Sequence, residues 1–312
     1  MNKKHQNYIL ENYKDIALLN APMDKHTTFG VGGYAKVLLL PNKLFEVKEI
    51  LKYTKKHSIN VFFTGSGSNI LVSKNGFNGI VVSLKKAFKN LNFLDDGHII
   101  CGAGVMLGNM VREAMKRGIK GLESLSGVPG TLGGALYMNA GAYGSEISNF
   151  FVLARMVNMD GEEKIIEKKD VDFSYRKSSF PKGSLLFEAK FKCFKGDLDK
   201  IKEKKMRFSN SRRNNQPLRY RSAGSVFKNP SDKLAAGYLI EKTGLKGISK
   251  GGAMISDKHA NFIVNLGGAN SDDVLFLINL IRKKVYQKFN VLLELEIKLV
   301  GFDAFDLDSY EV

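Results

Sequence analysis

Ser126-Gly127-Val128-Pro129-Gly130-Thr131-Leu132-Gly133-Gly134-Ala135 packs four glycines and a proline into ten residues. Pro129-Gly130 predicts a tight turn. Thr131-Leu132-Gly133-Gly134 is then expected to present successive backbone N–H groups at a helix start, which is how an anion is held without a charged side chain. Asn139-Ala140-Gly141-Ala142-Tyr143-Gly144 follows, with small residues against which a flat ligand can lie. Upstream, Gly65-Ser66-Gly67-Ser68-Asn69 comes after a strand-like run over 61–64, and its bare amides suit close approach to a pyrophosphate. A lone Gly-x-Gly turn is ordinarily structural. The clustering is not ordinary, since 11 of the 31 glycines lie between 102 and 144. Ligand contact is therefore expected at Gly65, Ser66, Gly67, Ser68 and Asn69, and at Ser126, Gly127, Pro129, Gly130, Thr131, Gly133, Gly134, Asn139, Gly141, Ala142, Tyr143 and Gly144.

Composition excludes several classes. The chain has 312 residues, 44% hydrophobic and 25% charged, ordinary for a globular protein of about two domains. No apolar run approaches the ~20 residues that span a bilayer, and the N-terminus does not read as a signal peptide. Two cysteines, Cys101 and Cys193, with no Cys-x-x-Cys, argue against a disulfide framework or a thiolate zinc site. Five scattered histidines show no His-Glu-x-x-His spacing, so no metal is expected. Neither Gly-x-Gly-x-x-Gly nor a Walker motif occurs. A cytoplasmic protein is the base expectation. The net charge of +17 favours anionic partners without choosing among them, and its densest cluster is Arg207, Arg212, Arg213, Arg219 and Arg221.

Periodicity predicts strands over 35–41, 61–64, 70–72 and 80–84, and helices from 42 and over 107–117. The first helix is expected to turn Phe45, Ile50, Leu51 and Tyr53 inward. Strict alternation predicts a strand over 185–194, followed by a polar helix over 198–211. Further on come a helix over 234–242, a strand over 262–265, and an amphipathic helix over 271–289 capped by Asn270 or Ser271. A last strand is expected over 291–300. The order indicates an α+β chain with a boundary near 197–212.

Three side chains in these elements are candidates for chemistry. Ser225, in Ala223-Gly224-Ser225-Val226-Phe227-Lys228-Asn229-Pro230, is placed to donate or relay a proton, although an isolated serine is ordinarily a solvated turn residue. No nearby histidine base makes it an acyl nucleophile. Glu296 falls opposite the apolar positions 291, 293, 295, 297 and 299, facing solvent or a cleft. Arg176, in Ser174-Tyr175-Arg176, is either a surface cation or a carboxylate clamp.

Taken together, the chain resembles the UDP-N-acetylenolpyruvoylglucosamine reductases (UDP-N-acetylmuramate dehydrogenases), flavoproteins of peptidoglycan precursor synthesis. The match rests on the glycine segments above, with Thr27-Thr28-Phe29-Gly30-Val31-Gly32-Gly33, Ser174-Tyr175-Arg176, 223–230 and Glu294-Leu295-Glu296-Ile297, in the family's order from about 20 to 301. The resemblance implies a p-cresol-methylhydroxylase-type FAD-binding domain over 21–197, with lobes of about 21–85 and 86–197. It also implies a substrate-binding domain over 198–301, flanked by an extension over 1–20 and an acidic tail over 302–312. The glycine loops would hold non-covalent FAD, which NADPH reduces. The enolpyruvyl group of UDP-N-acetylglucosamine enolpyruvate would then accept a hydride on its methylene carbon and a proton on the carbon bearing the carboxylate. Ser225 matches the family's proton donor, and Arg176 and Glu296 match its intermediate-stabilising residues. Glu296 either donates to the developing charge or orients Ser225. Arg176, Gln216, Lys228 and Asn229 are implied to bind substrate. The chain resembles the shorter family form that lacks a substrate-closing tyrosine loop, which leaves an arginine of the 207–221 cluster to meet the diphosphate. A monomer with neither nucleic-acid nor membrane partners is expected.

Two alternatives remain at this stage. A flavin oxidase on the same FAD module would leave Ser225 and Glu296 unexplained. A basic nucleic-acid-binding protein would account for the charge, but no aromatic-interleaved basic motif or helix-turn-helix signature accompanies it.

Overall fold

The computed structural model describes residues 1–303 and 307. Of the expected acidic tail, Asp306, Asp308 and Glu311 lie outside the described residues. The chain forms two compact units that interleave in sequence. One comprises 1–19, 37–66 and 79–211; the other comprises 20–36, 67–78 and the chain from 212 on. By compactness the first 19 residues belong to the first unit.

The first unit is built on a five-stranded antiparallel sheet in the order Glu163–Glu167, Phe151–Val157, Leu185–Lys192, His98–Gly102, Leu91–Phe93. Alternation along Leu185–Lys192 buries Phe187, Ala189 and Phe191, and Ala189 stands opposite both Ala154 and Cys101. The expected strand over 185–194 ends two residues early. Phe194–Lys195 pairs instead with Ile119–Lys120, which leaves Phe194 59% exposed. Val61–Thr64 runs parallel to Phe77–Ser83 in register Val61 to Ile80. Helix Leu107–Lys116 buries Leu107, Met110, Val111 and Ala114, and Gly118 at φ 65° ends it as expected. Helix Leu44–Lys56 buries Val47, Ile50, Leu51 and Thr54. Phe45, expected inward, is 70% exposed. It lies two residues before Val47, ~200° around a 3.6-residue turn, and so on the opposite face.

In the second unit, helix Ser271–Phe289 buries Val274, Leu277, Ile278, Ile281 and Val285 in one cluster with Leu239, Ile240, Ile255 and Ile263. Its start follows from the cap. Asn270 accepts from the N–H groups of Asp272 and Asp273, while Asp273 reaches back to the Asn270 N–H. Ser249–Lys250, Ala253–Ile255 and Ile263–Asn265 form an antiparallel meander. Only Lys298–Val300 of the expected 291–300 strand is regular, paired parallel with Ile70–Val72. The alternation survives in part, since Leu293 and Ile297 are buried.

Burial pushes the thiols of Cys101 and Cys193 up to about 12. A thiol-exchange reagent at mildly alkaline pH should therefore modify neither cysteine in the native protein and both in guanidinium. Substituting Asn270→Ala removes a paired cap and should lower stability by ~1 kcal/mol in denaturant titration.

Candidate functional site

In the first unit the two glycine-rich segments meet. A Cβ on Gly65 would stand 2.0 Å from Thr131 Oγ1, so only glycine lets this turn lie on Thr131. Ser83 Oγ donates to Gly65 O at 3.1 Å and holds the approach from the other side. Among the described residues, the buried Oγ atoms of Ser66 and Ser124 have no hydrogen-bond partner. An orphaned buried hydroxyl costs about 1–3 kcal/mol unless a ligand or water satisfies it. Ser66 sits in the expected anion loop, whereas Ser124, just before Ser126, was not singled out from the sequence.

The helix start differs from expectation. Helix Leu132–Tyr137 has six residues, and its first amides are already engaged. Leu132 N–H donates to Val105 O at 2.8 Å and Gly133 N–H to Ala103 O at 3.0 Å, while Leu107 N–H donates to Gly130 O. The segment is thus stitched to 103–107 as a strand-like edge, and those two N–H groups are not the anion donors that the glycine spacing suggested.

The segment 139–144 makes contacts with the Arg176 hairpin. Gly141–Ala142 pairs with Ser145–Glu146 across Tyr143 and Gly144, at φ 52° and 78°. Two positive φ values in a two-residue loop are the mark of a type I′ hairpin, and they require glycine or a strained residue. Tyr143 stacks on Phe208 with centroids 4.4 Å apart and donates its hydroxyl to Phe208 O. Asn139, fully buried at φ 40°, donates from Nδ2 to Glu146 Oε2 at 2.7 Å and to Ser174 O at 3.1 Å. Ser174 ends the first strand of the short hairpin whose turn carries Arg176 at φ 54°. Arg176 Nη2 donates to Gly141 O at 3.0 Å, and its guanidinium lies 4.9 Å from the Tyr175 ring centroid. The Arg176 backbone is thus strained, and its guanidinium is held by the Gly141 carbonyl beside the Tyr175 ring. Burial pushes the neighbouring Tyr137 hydroxyl up to about 12, where it donates to Ser184 O as a neutral phenol.

In the second unit, 225–228 runs between two partners. Ser225 bridges Phe262, and Phe227 bridges Leu295. Glu296 N–H donates to Val226 O at 2.8 Å and Lys228 N–H to Glu294 O at 2.9 Å. Ser225, Lys228 and Glu296 are therefore brought together on one paired backbone. Glu296 is half-buried, neither fully solvated nor in the core. Asn69 belongs to the same structure, with its Nδ2 donating to Glu296 O at 3.0 Å. Lys228 Nζ pairs with Glu294 Oε2 at 3.1 Å, and Asn229 Oδ1 accepts from Ala236 N–H at 3.1 Å, at the start of helix Ala236–Lys242. Gln216 follows helix Leu198–Asn215 and is half-buried. Arg221, from the arginine cluster, donates from Nη2 to Thr27 O at 2.8 Å and Asp24 O at 3.1 Å. That guanidinium ties down the Thr27–Gly30 turn. His259 has its pKa lowered, first by burial and then by the Lys246 charge, and its Nδ1 accepts from Asn261 N–H at 3.3 Å, which requires the neutral ring.

Comparison with known proteins fits this geometry. The family model "FAD binding domain" matches residues 35–166, and "UDP-N-acetylenolpyruvoylglucosamine reductase, C-terminal domain" matches residues 216–300. Relatives named UDP-N-acetylenolpyruvoylglucosamine reductase include one from Bacillus pumilus, 40% identical over 95% of this chain and 98% of its own. One from Clostridium botulinum (strain Hall) is 40% identical over 96% of this chain and 98% of its own. The crystal structure of UDP-N-acetylenolpyruvylglucosamine reductase from Thermus caldophilus superposes with a TM-score of 0.77 at 34% identity, covering 91% of this chain and 98% of that one. The fold class expected from the sequence, an FAD-binding domain with the family's C-terminal domain, therefore holds. The orphaned Ser66 hydroxyl beside the glycine-tight contact of Gly65 with Thr131 fits FAD, since a pyrophosphate supplies the missing acceptor.

Substituting Gly65→Ala should force the loop off Thr131 and sharply lower the FAD-to-protein absorbance ratio of the purified protein. Acidification should destabilise the protein through His259. Its folded pKa lies below the unfolded value of ~6.5, so the stabilisation is complete above that pH and is lost as pH falls. In His259→Asn the melting temperature should depend less on pH across that range.

Proposed function

From the chain's membership of the UDP-N-acetylenolpyruvoylglucosamine reductase family, to which it belongs as an FAD-dependent oxidoreductase, we propose that it reduces UDP-N-acetylglucosamine enolpyruvate to UDP-N-acetylmuramate with NADPH as electron donor. The observation that carries this is the pairing that gathers Ser225, Lys228 and Glu296 into one backbone structure inside the family's C-terminal region. FAD, when bound, carries the hydride from NADPH to the enolpyruvyl methylene carbon.

The chain's own residues do the rest. Hydride addition next to a carboxylate builds negative charge on the substrate. A fixed guanidinium is worth most where that charge develops. Arg176, held by the Gly141 carbonyl and by its own strained turn, provides this and need not reorganise during the reaction. Ser225 then gives a proton to the carbon bearing the carboxylate, so that the double bond gains two electrons and two hydrogens while NADPH becomes NADP⁺. Glu296 stabilises the intermediate, either by donating to the developing charge or by orienting Ser225. Lys228 keeps two ammonium donors beyond the one on Glu294 and, with Asn229 and Gln216, recognises the nucleotide diphosphate. The 65–69 and 126–144 segments hold FAD non-covalently. The proposed reaction belongs to the cytoplasmic stage of cell-wall precursor synthesis, in a monomer whose partners are small anions and neither nucleic acid nor membrane.

Rapid mixing separates the two half-reactions. In Ser225→Ala, NADPH should bleach the flavin band at about 450 nm as in the parent, while reoxidation by the enolpyruvyl substrate slows roughly 10²–10⁴-fold, the range typical of a lost general acid. Reoxidation at the parent rate would remove Ser225 from the mechanism.

A further inference from the structure

The proton donor has to hold its hydroxyl at one place, yet Ser225 follows Gly224, at φ 78°, where the chain is free to swivel. Beside the bridge of Ser225 itself to Phe262, the segment directly after it limits that freedom. Asn261, 4% exposed, engages that segment through three hydrogen bonds. Its Oδ1 accepts from Phe227 N–H at 2.9 Å, its Nδ2 donates to Phe227 O at 2.8 Å, and its own carbonyl accepts from Val226 N–H at 2.9 Å. One side-chain amide thus does for Phe227 what a neighbouring strand would do, satisfying both backbone groups of a buried residue.

Asn261 is itself held in place. Its N–H donates to His259 Nδ1, and Ser256 Oγ accepts from the N–H groups of Lys258 and His259. Ser256 N–H closes the loop onto Phe262 O at 2.9 Å. The backbone N–H and C=O of Asn261, its Oδ1 and one hydrogen of its Nδ2 are therefore all engaged within this part of the fold. We propose that Asn261 is a positioning residue for Ser225, acting through the Val226–Phe227 backbone. The proposal rests on Ser225 being the proton donor. Misplacement of a reacting group by a fraction of an ångström is costly for proton transfer to carbon and nearly harmless to the other half-reaction.

The test is a cycle of Asn261→Ala, Ser225→Ala and the double variant, with Asn261→Asp as an isosteric variant that keeps the acceptor for Phe227 N–H. Each holoenzyme is reduced with NADPH and then mixed with UDP-N-acetylglucosamine enolpyruvate, and amide hydrogen exchange is followed at Val226 and Phe227. Asn261→Ala should slow reoxidation about tenfold to a hundredfold, the scale of one or two lost buried hydrogen bonds. It should leave NADPH bleaching within about twofold, speed exchange at Phe227, and add nothing further in the Ser225→Ala background. Asn261→Asp should recover part of the rate and the protection at Phe227, and it carries the same test if the alanine variant does not fold. The proposal fails if Ser225→Ala is slow while both Asn261 variants reoxidise at the parent rate. It fails equally if Asn261→Ala slows the enzyme by the same factor with and without Ser225, since that is a general structural effect. Normal reoxidation by Ser225→Ala itself overturns the proton-donor assignment, and the positioning role with it.

Discussion

Buried backbone N–H and C=O groups have to be paired, and in the second unit that requirement is met from two sides at 225–228. The segment accepts and donates on both sides, to Asn261 and Phe262 on one and to 294–296 on the other. From Glu296 the ladder continues through Asn69 Nδ2 to the parallel pair of Ile70–Val72 with Lys298–Val300, where Lys298 N–H donates to Asn69 O. Ser225, Glu296 and Asn69 are therefore fixed by one continuous set of backbone bonds.

The first unit meets a different demand at Arg176. Three of its residues without the freedom of glycine, Asn139, Tyr143 and Arg176, hold left-handed backbone angles within one small region. Each costs of order 1–3 kcal/mol, and such strain persists only where the surroundings over-determine it. Here the surroundings are the buried Asn139 amide on Glu146 and Ser174, the Tyr143 ring on Phe208, and the Gly141 carbonyl under the guanidinium. The strain and its compensation both converge on the Arg176 guanidinium.

The net charge of +17 is explained in part. Arg221, though exposed, is engaged by the carbonyls of Asp24, Thr27 and Thr28, and Lys48, Lys55 and Arg155 are in exposed ion pairs worth little each. The helix Leu198–Asn215 buries only Ile201 and carries a long basic surface. Substrate, NADPH and FAD are all anions, so a positive field speeds encounter without any lysine having to touch them.

Periodicity was sufficient for elements whose burial is decided locally. Helices Leu107–Lys116 and Ser271–Phe289, their caps, and the alternation of Leu185–Lys192 are all legible in the sequence. The motifs together were also sufficient to identify the family, because the residue types that its chemistry needs stand in the chain in order. The sequence alone left undetermined which polar groups are free and which are already engaged. Leu132 and Gly133 looked like anion donors, yet their N–H groups belong to Val105 and Ala103. Nor did the 207–221 arginine cluster show that one of its members, Arg221, binds carbonyls 194 and 197 positions away. Asn261 carried no signal at all, and the compact units draw 20–36 and 67–78 together with residues beyond 212. The reason is common to all of these. A side chain's helical or strand face repeats every few residues and so is written locally, whereas a hydrogen-bond partner is chosen by distance in space and leaves no period in the sequence.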